Sequence, residues 1–513
     1  MVARNAKLEE IDPALAWKPW QPSAGEPWGP KWAAHLLRRA AFGYSREDLF
    51  EASHLGLQGT LELLFNGRPQ ATEAFETLND VGRLAAERDD GGDQLRGWWL
   101  YCMLQGGHPL REKLTLFWHD HFATSLIKVQ NPALMFRQNC LLREHALGRF
   151  GPLLQAMSRD GAMLIWLDSN SNLKGRPNEN YARELMELFS LGVGNYTEKD
   201  VREAARAFTG WRTDGAGFVF NPALHDAGPK TILGTTGNWD GGDVVRIVLE
   251  QPAAARFLIR KLYRFLVSEA TVPSDALIEP LCVSFRKSDY DIAALVRTIL
   301  SSRLFFSEHA FRKRIKGPVE YVLGAAQAIY RRYAEDDPDY RPLPQQVLVG
   351  ELGALGQILF APPNVKGWPG GKTWLNTATL LERANYAQAL AMGTTWAIRS
   401  PEPIARSSVA GSFKLRQIVS AISTAILPVE AAEEPVPPRA FDSARIIADA
   451  GVSRPEEIVR ALVDLYLPGG IAPDARSKLA AFLADGSPTG RELERRVRES
   501  VHAILSLADY QLA

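Results

Sequence analysis

The sequence predicts a mainly α protein, a multi-helical globular bundle with one small β-hairpin insertion near 217–234. Three observations carry that prediction. Apolar residues recur at helical spacing in segment after segment between 31 and 512. Capping residues and glycine stops bound several of those segments. Only between 211 and 240 does the apolar period change, to short runs of strand type.

The stretch 31–42 reads as a helix with Trp32, His35, Leu36 and Arg39 on one side and Gly43 as its stop. Helices at 95–104 and 110–122 follow, separated by Gly106-Gly107-His108-Pro109. The acidic stretch 71–93, with Asp89-Asp90-Gly91-Gly92, reads as a surface insertion. A polar loop at 168–177 precedes the best-defined helix, which Asn178 can cap. At about 100° per residue, Tyr181, Ala182, Leu185, Met186, Leu188 and Phe189 share one broad face of 179–191. Glu179, Arg183 and Glu187 make an outward ladder at i, i+4, i+8, and Glu184 falls on the rim. Gly192 and Gly194 end this helix. Thr197 and Asp200 give the next a capping-box signal, and Val201, Ala204, Ala205 and Phe208 give it an apolar stripe.

After Gly210 the runs 217–222 and 230–234 read as the two arms of a hairpin, with His225-Asp226-Ala227-Gly228 at its tip. Helices resume near Asp243 and run through 257–267, 292–300, 319–330 and 352–359. The loop 361–372 is too rich in proline and glycine for regular structure, and a helix begins at about Thr377. Proline-rich 427–439 reads as a linker. It divides a main helical domain, 28–426, from a C-terminal helical segment, 440–513, that packs on it.

Composition narrows the function classes. Lys plus Arg (59) equals Asp plus Glu (59), which gives no overall electrostatic reason to bind nucleic acid. The short basic cluster Arg312, Lys313, Arg314 and Lys316 reads as a solvated helix face. Cys102, Cys140 and Cys282 are far apart and odd in number, so neither a disulfide framework nor a thiolate metal site is expected. No apolar run reaches the roughly 18 residues of a membrane span. The first twenty residues hold no continuous hydrophobic run, so a cytoplasmic location is expected by default, with export beside a partner or a lost leader as the alternatives.

Chemistry-bearing residues fall into three groups. Glu184 is a candidate acid–base residue, because a carboxyl three positions from Glu187 can be raised in pKa by like charge, as in a glycosidase-type pair. His121 and Asp168 complete the candidate catalytic set. His121 falls among Leu114, Phe117 and Trp118 on the apolar face, where it is either a hydrogen-bonded core histidine or a desolvated base at a cleft floor. His119 points about 200° away from it, so the two cannot share a metal within one helix.

Trp118, Trp211, Lys366 and Trp368 are the candidate substrate-binding residues. Tryptophan beside glycine or proline can stack on a sugar, although capping the core is its commoner use. His225 and Asp226 are the candidate metal ligands and a divalent ion the candidate cofactor, since Asp/His sets suit hard or borderline ions. No HExxH spacing supports them. The loop from Lys366 to Lys372 offers amides and two cations to an anion, but it lacks the Walker pattern.

Several long motifs, taken together, resemble a bacterial family known as domain of unknown function 1800. They are His35-Leu-Leu-Arg-Arg-Ala-Ala-Phe-Gly43, Arg111-Glu-Lys-Leu-Thr-Leu-Phe-Trp-His-Asp-His-Phe-Ala-Thr124 and Asn178-Glu-Asn-Tyr-Ala-Arg-Glu-Leu-Met-Glu-Leu-Phe-Ser-Leu-Gly192. Phe208-Thr-Gly-Trp211, Gly237-Asn-Trp-Asp-Gly241 and Pro363-Asn-Val-Lys-Gly-Trp-Pro-Gly-Gly371 follow in order. The resemblance covers most of 28–390. It implies a largely helical fold and a neighbouring protein, often sulfatase-like, and it supplies no activity. The expected function is a hydrolase-like enzyme with an acidic and histidine-bearing cleft, acting on carbohydrate. The alternative is a non-catalytic binding or partner protein that supports a sulfatase-like neighbour in envelope polysaccharide handling.

Overall fold

The computed structural model describes residues 8–69, 71–87, 91–105, 107–329, 345–394, 447 and 450–513. The linker at 427–439 lies outside them. The chain is mainly α, with two small two-stranded antiparallel sheets among the described residues. No helix of the described residues is long and apolar enough to cross a membrane.

Local chemistry sets the element boundaries. Thr197 and Asp200 form the reciprocal capping box that opens the Glu198–Ala207 helix. Asn178 Oδ1 accepts from the Asn180 amide at 2.9 Å, and the Asn178 amide donates to Asn172 Oδ1 at 2.9 Å. The β insertion is present, but its strands pair locally. Phe218–Phe220 pairs back to Trp211–Thr213, and Lys230–Ile232 pairs with Thr235–Gly237. Asp214 Oδ1 accepts from the amides of Ala216 and Gly217 (2.8 and 3.0 Å), closing the first turn, and Gly234 at φ 85° closes the second. Two tight turns close at less entropic cost than the single longer hairpin expected from the sequence. His225 and Asp226 therefore sit in the connection between two hairpins.

The stretch read as an acidic surface insertion is instead part of the core. Ala71–Ala86 is a helix, and Leu78, Val81, Ala85 and Ala86 are buried. Its carboxylates mask an apolar stripe at helical spacing. The Trp98 indole donates to Leu78 O at 2.6 Å, which ties this helix to Asp93–Gln105.

Two hydrophobic cores share one wall, the Pro109–His121 helix. Leu110, Leu114, Phe117 and Trp118 enter the first core with the 179–191 segment and the Pro252–Leu266 helix. Leu116 enters the second, with the Pro318–Ile329, Thr377–Met392, Pro455–Tyr466 and Gly490–Ser506 helices. Charged residues on the same helix also lie buried. Glu112 receives Arg143 (2.5 and 3.0 Å) and the Trp99 indole (3.1 Å). Lys113 donates to Glu320 Oε1, which also receives Arg314 at 3.0 Å, while the Gly317 amide donates to Oε2 at 2.9 Å.

The basic cluster at 312–316 is thus no solvated face. Arg314 and Lys316 are buried, because the segment runs inward to meet Glu320 and the C-terminal helices. Arg39 spreads its two terminal nitrogens over the carbonyl oxygens of Leu266, Val267, Ala310 and Ala513 at 2.5–3.3 Å. Arg383 binds Gln511 Oε1 (3.1 Å) and Lys316 O (2.8 Å).

A buried carboxylate with two cationic partners is costly to break, because its loss strands both cations away from water. Replacing Glu320 by Gln is expected to lower unfolding free energy by about 3–5 kcal/mol. Denaturant melts read by tryptophan fluorescence would check this, and a loss below about 1 kcal/mol, the range of a surface pair, would contradict it.

Candidate acid–base site

The Asn180–Glu184 helix does not continue regularly. It passes directly into a π-turn, Leu185–Ser190. A π-turn carries one extra residue, so main-chain bonding shifts by one position and nearby carbonyls turn outward. The amides of Leu191 and Gly192 both reach Met186 O, at 2.9 and 3.0 Å. Side chains take the carbonyls of Leu188 and Phe189. Lys261 Nζ donates to Leu188 O at 3.2 Å, and His121 Nε2 donates to Phe189 O at 3.1 Å.

This contact fixes the His121 tautomer. A carbonyl only accepts, so Nε2 carries the proton and Nδ1 is left as an acceptor for Lys261 Nζ, 3.1 Å away. Burial, and then Lys261, hold His121 well below the usual histidine range. The ring is neutral and both nitrogens are engaged. Of the two readings of His121, this arrangement matches the hydrogen-bonded core histidine.

Asp120 lies beside this arrangement, under the 361–371 loop. Its Oδ1 accepts the Trp368 amide at 2.7 Å. Gly367 has φ 77°, and a Cβ there would stand 2.2 Å from Asp120 Oδ1, so only glycine lets the loop approach. Arg264 anchors the next turn through Pro369 O at 2.6 Å. Desolvation pushes Asp120 up to about 6, against the pull of the Trp368 amide, Lys261 and Arg264. Desolvation likewise brings Lys261 down to about 8, with Asp120 opposing it. The two groups bracket neutrality, as acid–base pairs at functional sites often do.

Glu184, one turn before Leu188, is half-buried. Its pKa is raised, chiefly by desolvation and next by Glu187, with Lys366 and Arg183 opposing. Among the described residues its carboxyl makes no hydrogen bond or ion pair. Its neighbours do. Arg183 binds Glu179 (2.9 Å) and Glu198 (2.8 and 2.7 Å). Glu187 accepts the Tyr196 hydroxyl at 2.9 Å. The i, i+4, i+8 ladder thus stops at Arg183. It assumed 3.6 residues per turn throughout, and the π-turn moves Glu187 off that line.

The remaining candidates scatter. Asp168, exposed and at φ 57°, binds Lys128 Nζ at 2.9 Å and faces Asn180 Nδ2 at 3.5 Å. It stands at the start of the helix that carries Glu184, not beside that carboxyl. The three tryptophans offer no open ring face. Trp118 is fully buried and donates to Ala146 O at 3.1 Å. Trp211 packs under the Arg159 guanidinium, and Trp368 against His119. Trp118 lies inside the core, and Trp211 and Trp368 cap it, a large ring beside a turn filling the space the turn leaves. Lys366 is exposed and within electrostatic reach of Glu184.

His225 and Asp226 are each engaged by protein groups. His225 Nδ1 donates to Thr209 O at 2.9 Å, and Asp226 is bound by Arg206 at 2.7 Å, which holds its carboxyl down at about 2. No group of three or more His, Cys, Asp or Glu among the described residues is placed to hold a metal ion.

Asp120, Lys261 and Tyr196 are the site residues that sequence reasoning missed. Asp120 had a readable signal in lying between two helix-face histidines; Lys261 had none, being 140 positions from its partner His121.

The geometry defines a mainly helical protein with a half-buried acid–base cluster gathered at a π-turn. The chain belongs to the DUF1800 family of proteins of unknown function, whose sequence profile matches residues 35–512. No curated protein and no solved structure matches it.

A pH experiment follows from Asp120. Its folded pKa, about 6, lies above the ordinary aspartate value of 3.8, so ionising it costs stability. Asp160, also pushed up to about 6 by burial, contributes with the same sign. Their contribution is full below about pH 4 and is lost as pH rises to about 6. Asp120→Asn, which keeps the Trp368 acceptor, is expected to remove part of that decline, on the order of 1–2 kcal/mol. Urea melts from pH 4 to 7 would show it; parallel wild-type and variant curves would refute it. Gly367→Ala is expected to detach the loop, read as faster proteolysis within 361–371.

Proposed function

We propose that this protein is a hydrolase-type enzyme whose general acid is Glu184, acting on a carbohydrate. One observation carries the reading. Glu184 is the single member of the candidate catalytic set left without a partner among the described residues, and its pKa is raised. A carboxyl held above its ordinary value keeps its proton to a higher pH, which favours donation to a leaving-group oxygen. Glu187, the like charge beside it, is oriented by Tyr196 and supplies the second carboxylate. Two carboxyls in separate environments are the usual equipment of glycoside hydrolysis. Lys366, on the loop pinned to Asp120, adds a cation at the same edge.

The second reading is a non-catalytic partner protein serving a sulfatase-like neighbour in envelope polysaccharide handling. Its support is that His121, Trp118, Asp168, His225 and Asp226 are each satisfied by ordinary protein contacts.

Release of reducing ends from a polysaccharide panel distinguishes the two. Glu184→Gln is expected to lower turnover by about 10²–10⁴-fold with an unchanged melting temperature. The basic limb of the wild-type pH profile should report the raised carboxyl and vanish with it. No turnover on any glycan, or full activity in the Gln variant, would sink the enzyme reading.

A further inference from the structure

Lys261 stands half-buried on the Pro252–Leu266 helix, facing the π-turn. Its Nζ has two hydrogen-bond partners, Leu188 O at 3.2 Å and His121 Nδ1 at 3.1 Å. Both are neutral acceptors, and among the described residues no carboxylate lies within ion-pair distance of Nζ. Lys113 and Lys128, by contrast, each meet a carboxylate directly. Phe257, one turn earlier on the same helix, places its ring centre 5.0 Å from Nζ. Gly192, at φ 80°, lets the end of the π-turn close on that ring, since a Cβ there would stand 3.0 Å from it.

A count of donors separates the two states of this group. An ammonium carries three N–H donors and a free amine carries two. Two neutral acceptors satisfy the amine in full and the ammonium only in part. Loss of the proton therefore strands no donor, and it leaves a lone pair on the one position that neither Leu188 O nor His121 occupies. Burial draws the group down to about 8, with Arg264 assisting and Asp120 opposing. At neutral pH the free amine is then on the order of 10²-fold more abundant than in an ordinary lysine. Desolvated lysines of this kind are nucleophiles toward carbonyl carbon. Asp120, also half-buried, lies within electrostatic reach of Nζ. Its Oδ1 is committed to the Trp368 amide, and Oδ2 has no partner among the described residues.

We propose that Lys261 is a carbonyl-reactive amine that forms a reversible imine with a small aldehyde entering beside the 361–371 loop, Asp120 managing the proton. Nζ attacks the aldehyde carbon, the C–N bond forms, and the carbonyl π pair moves to oxygen, which takes up the proton that Nζ sheds. Asp120 then protonates that hydroxyl, the C–O bond breaks, and water leaves as the nitrogen lone pair makes the C=N bond. The iminium nitrogen returns its remaining proton to Asp120. One amine and one aldehyde give one imine and one water, with nothing oxidised or reduced. An aldehyde suits the residue because an imine hydrolyses back to free lysine, whereas an activated acyl group would consume it as a stable amide. This reactivity is separate from acid catalysis at Glu184 and does not rest on it.

The test treats the full chain with propanal and sodium cyanoborohydride at pH 7 and follows each lysine by peptide mass mapping. The hydride reduces an imine to a stable propylamine. Lys261 is expected to be labelled at least about 10-fold faster than the exposed Lys366 and Lys372. Lys261→Arg, which keeps the charge and the donors, should lose that one label and leave the others. Asp120→Asn separates proton transfer from a field effect. Removing the carboxylate frees the amine further and would by itself speed labelling, whereas loss of the proton donor slows it, by about 10-fold or more. Labelling of Lys261 no faster than that of Lys366 and Lys372 in the unaltered protein overturns the proposal, whatever the variants do. An unchanged or faster rate in Asp120→Asn overturns the part given to Asp120.

Discussion

Glu320 accepts hydrogen bonds from Lys113, Arg314 and the Gly317 amide in a place with almost no access to water. Lys113 comes from the helix that both hydrophobic cores share, and Glu320 from a helix of the second core. Apolar packing alone would tolerate small slips of one helix past the other, since hydrophobic attraction has no direction. A buried charge does not tolerate them. Moving Lys113 by one helical position would leave its ammonium desolvated and unmatched and Glu320 short of one partner, a cost of several kcal/mol. The network therefore sets the register between the cores, while burial of Leu114, Phe117, Leu116 and their neighbours supplies the driving force.

That register reaches the candidate site through two routes. Asp120 lies seven residues beyond Lys113 on the same helix, so the two side chains leave from nearly the same face. Fixing Lys113 aims Asp120 at the Trp368 amide. The second route is Arg39, which binds the carbonyls of Leu266 and Val267 at the end of the Pro252–Leu266 helix. Lys261 and Arg264 belong to the last turns of that helix. Their placement against His121, Leu188 O and Pro369 O is thus held at the helix end by a guanidinium that touches none of those groups.

Much of this was legible in the sequence, and the parts that were not share a cause. Apolar period and capping residues placed the 109–121 and 197–208 helices closely, because those signals are local. The apolar-face position of His121 was readable, and so was its reading as a hydrogen-bonded core histidine. Its partners were not, since Lys261 lies 140 residues away. Composition misled at 71–93 and 312–316, where charged residues hid a buried stripe in one case and entered a buried network in the other. The ladder through Glu187 failed for a geometric reason: a helical projection presumes an unbroken 3.6-residue turn, and Leu185–Ser190 adds a residue.

The π-turn is what separates Glu184 from the charges around it. In a continuous α-helix Arg183 would stand one turn from both Glu179 and Glu187, with Glu184 on the rim between a satisfied ladder and the core. The extra residue turns Glu187 toward Tyr196 and frees the carbonyls of Leu188 and Phe189 for Lys261 and His121. Arg183 meanwhile is drawn off by Glu198 from the following helix. Desolvation chiefly raises the Glu184 carboxyl, and the like-charged Glu187 adds to it where no bonded counter-charge answers. A π-turn forgoes regular main-chain bonding and is retained mostly where it aims particular groups. Here the groups it aims are the Glu187 carboxyl, turned to Tyr196, and the Leu188 carbonyl, turned to Lys261, so the irregularity in the helix and the chemistry proposed for Glu184 have one structural origin.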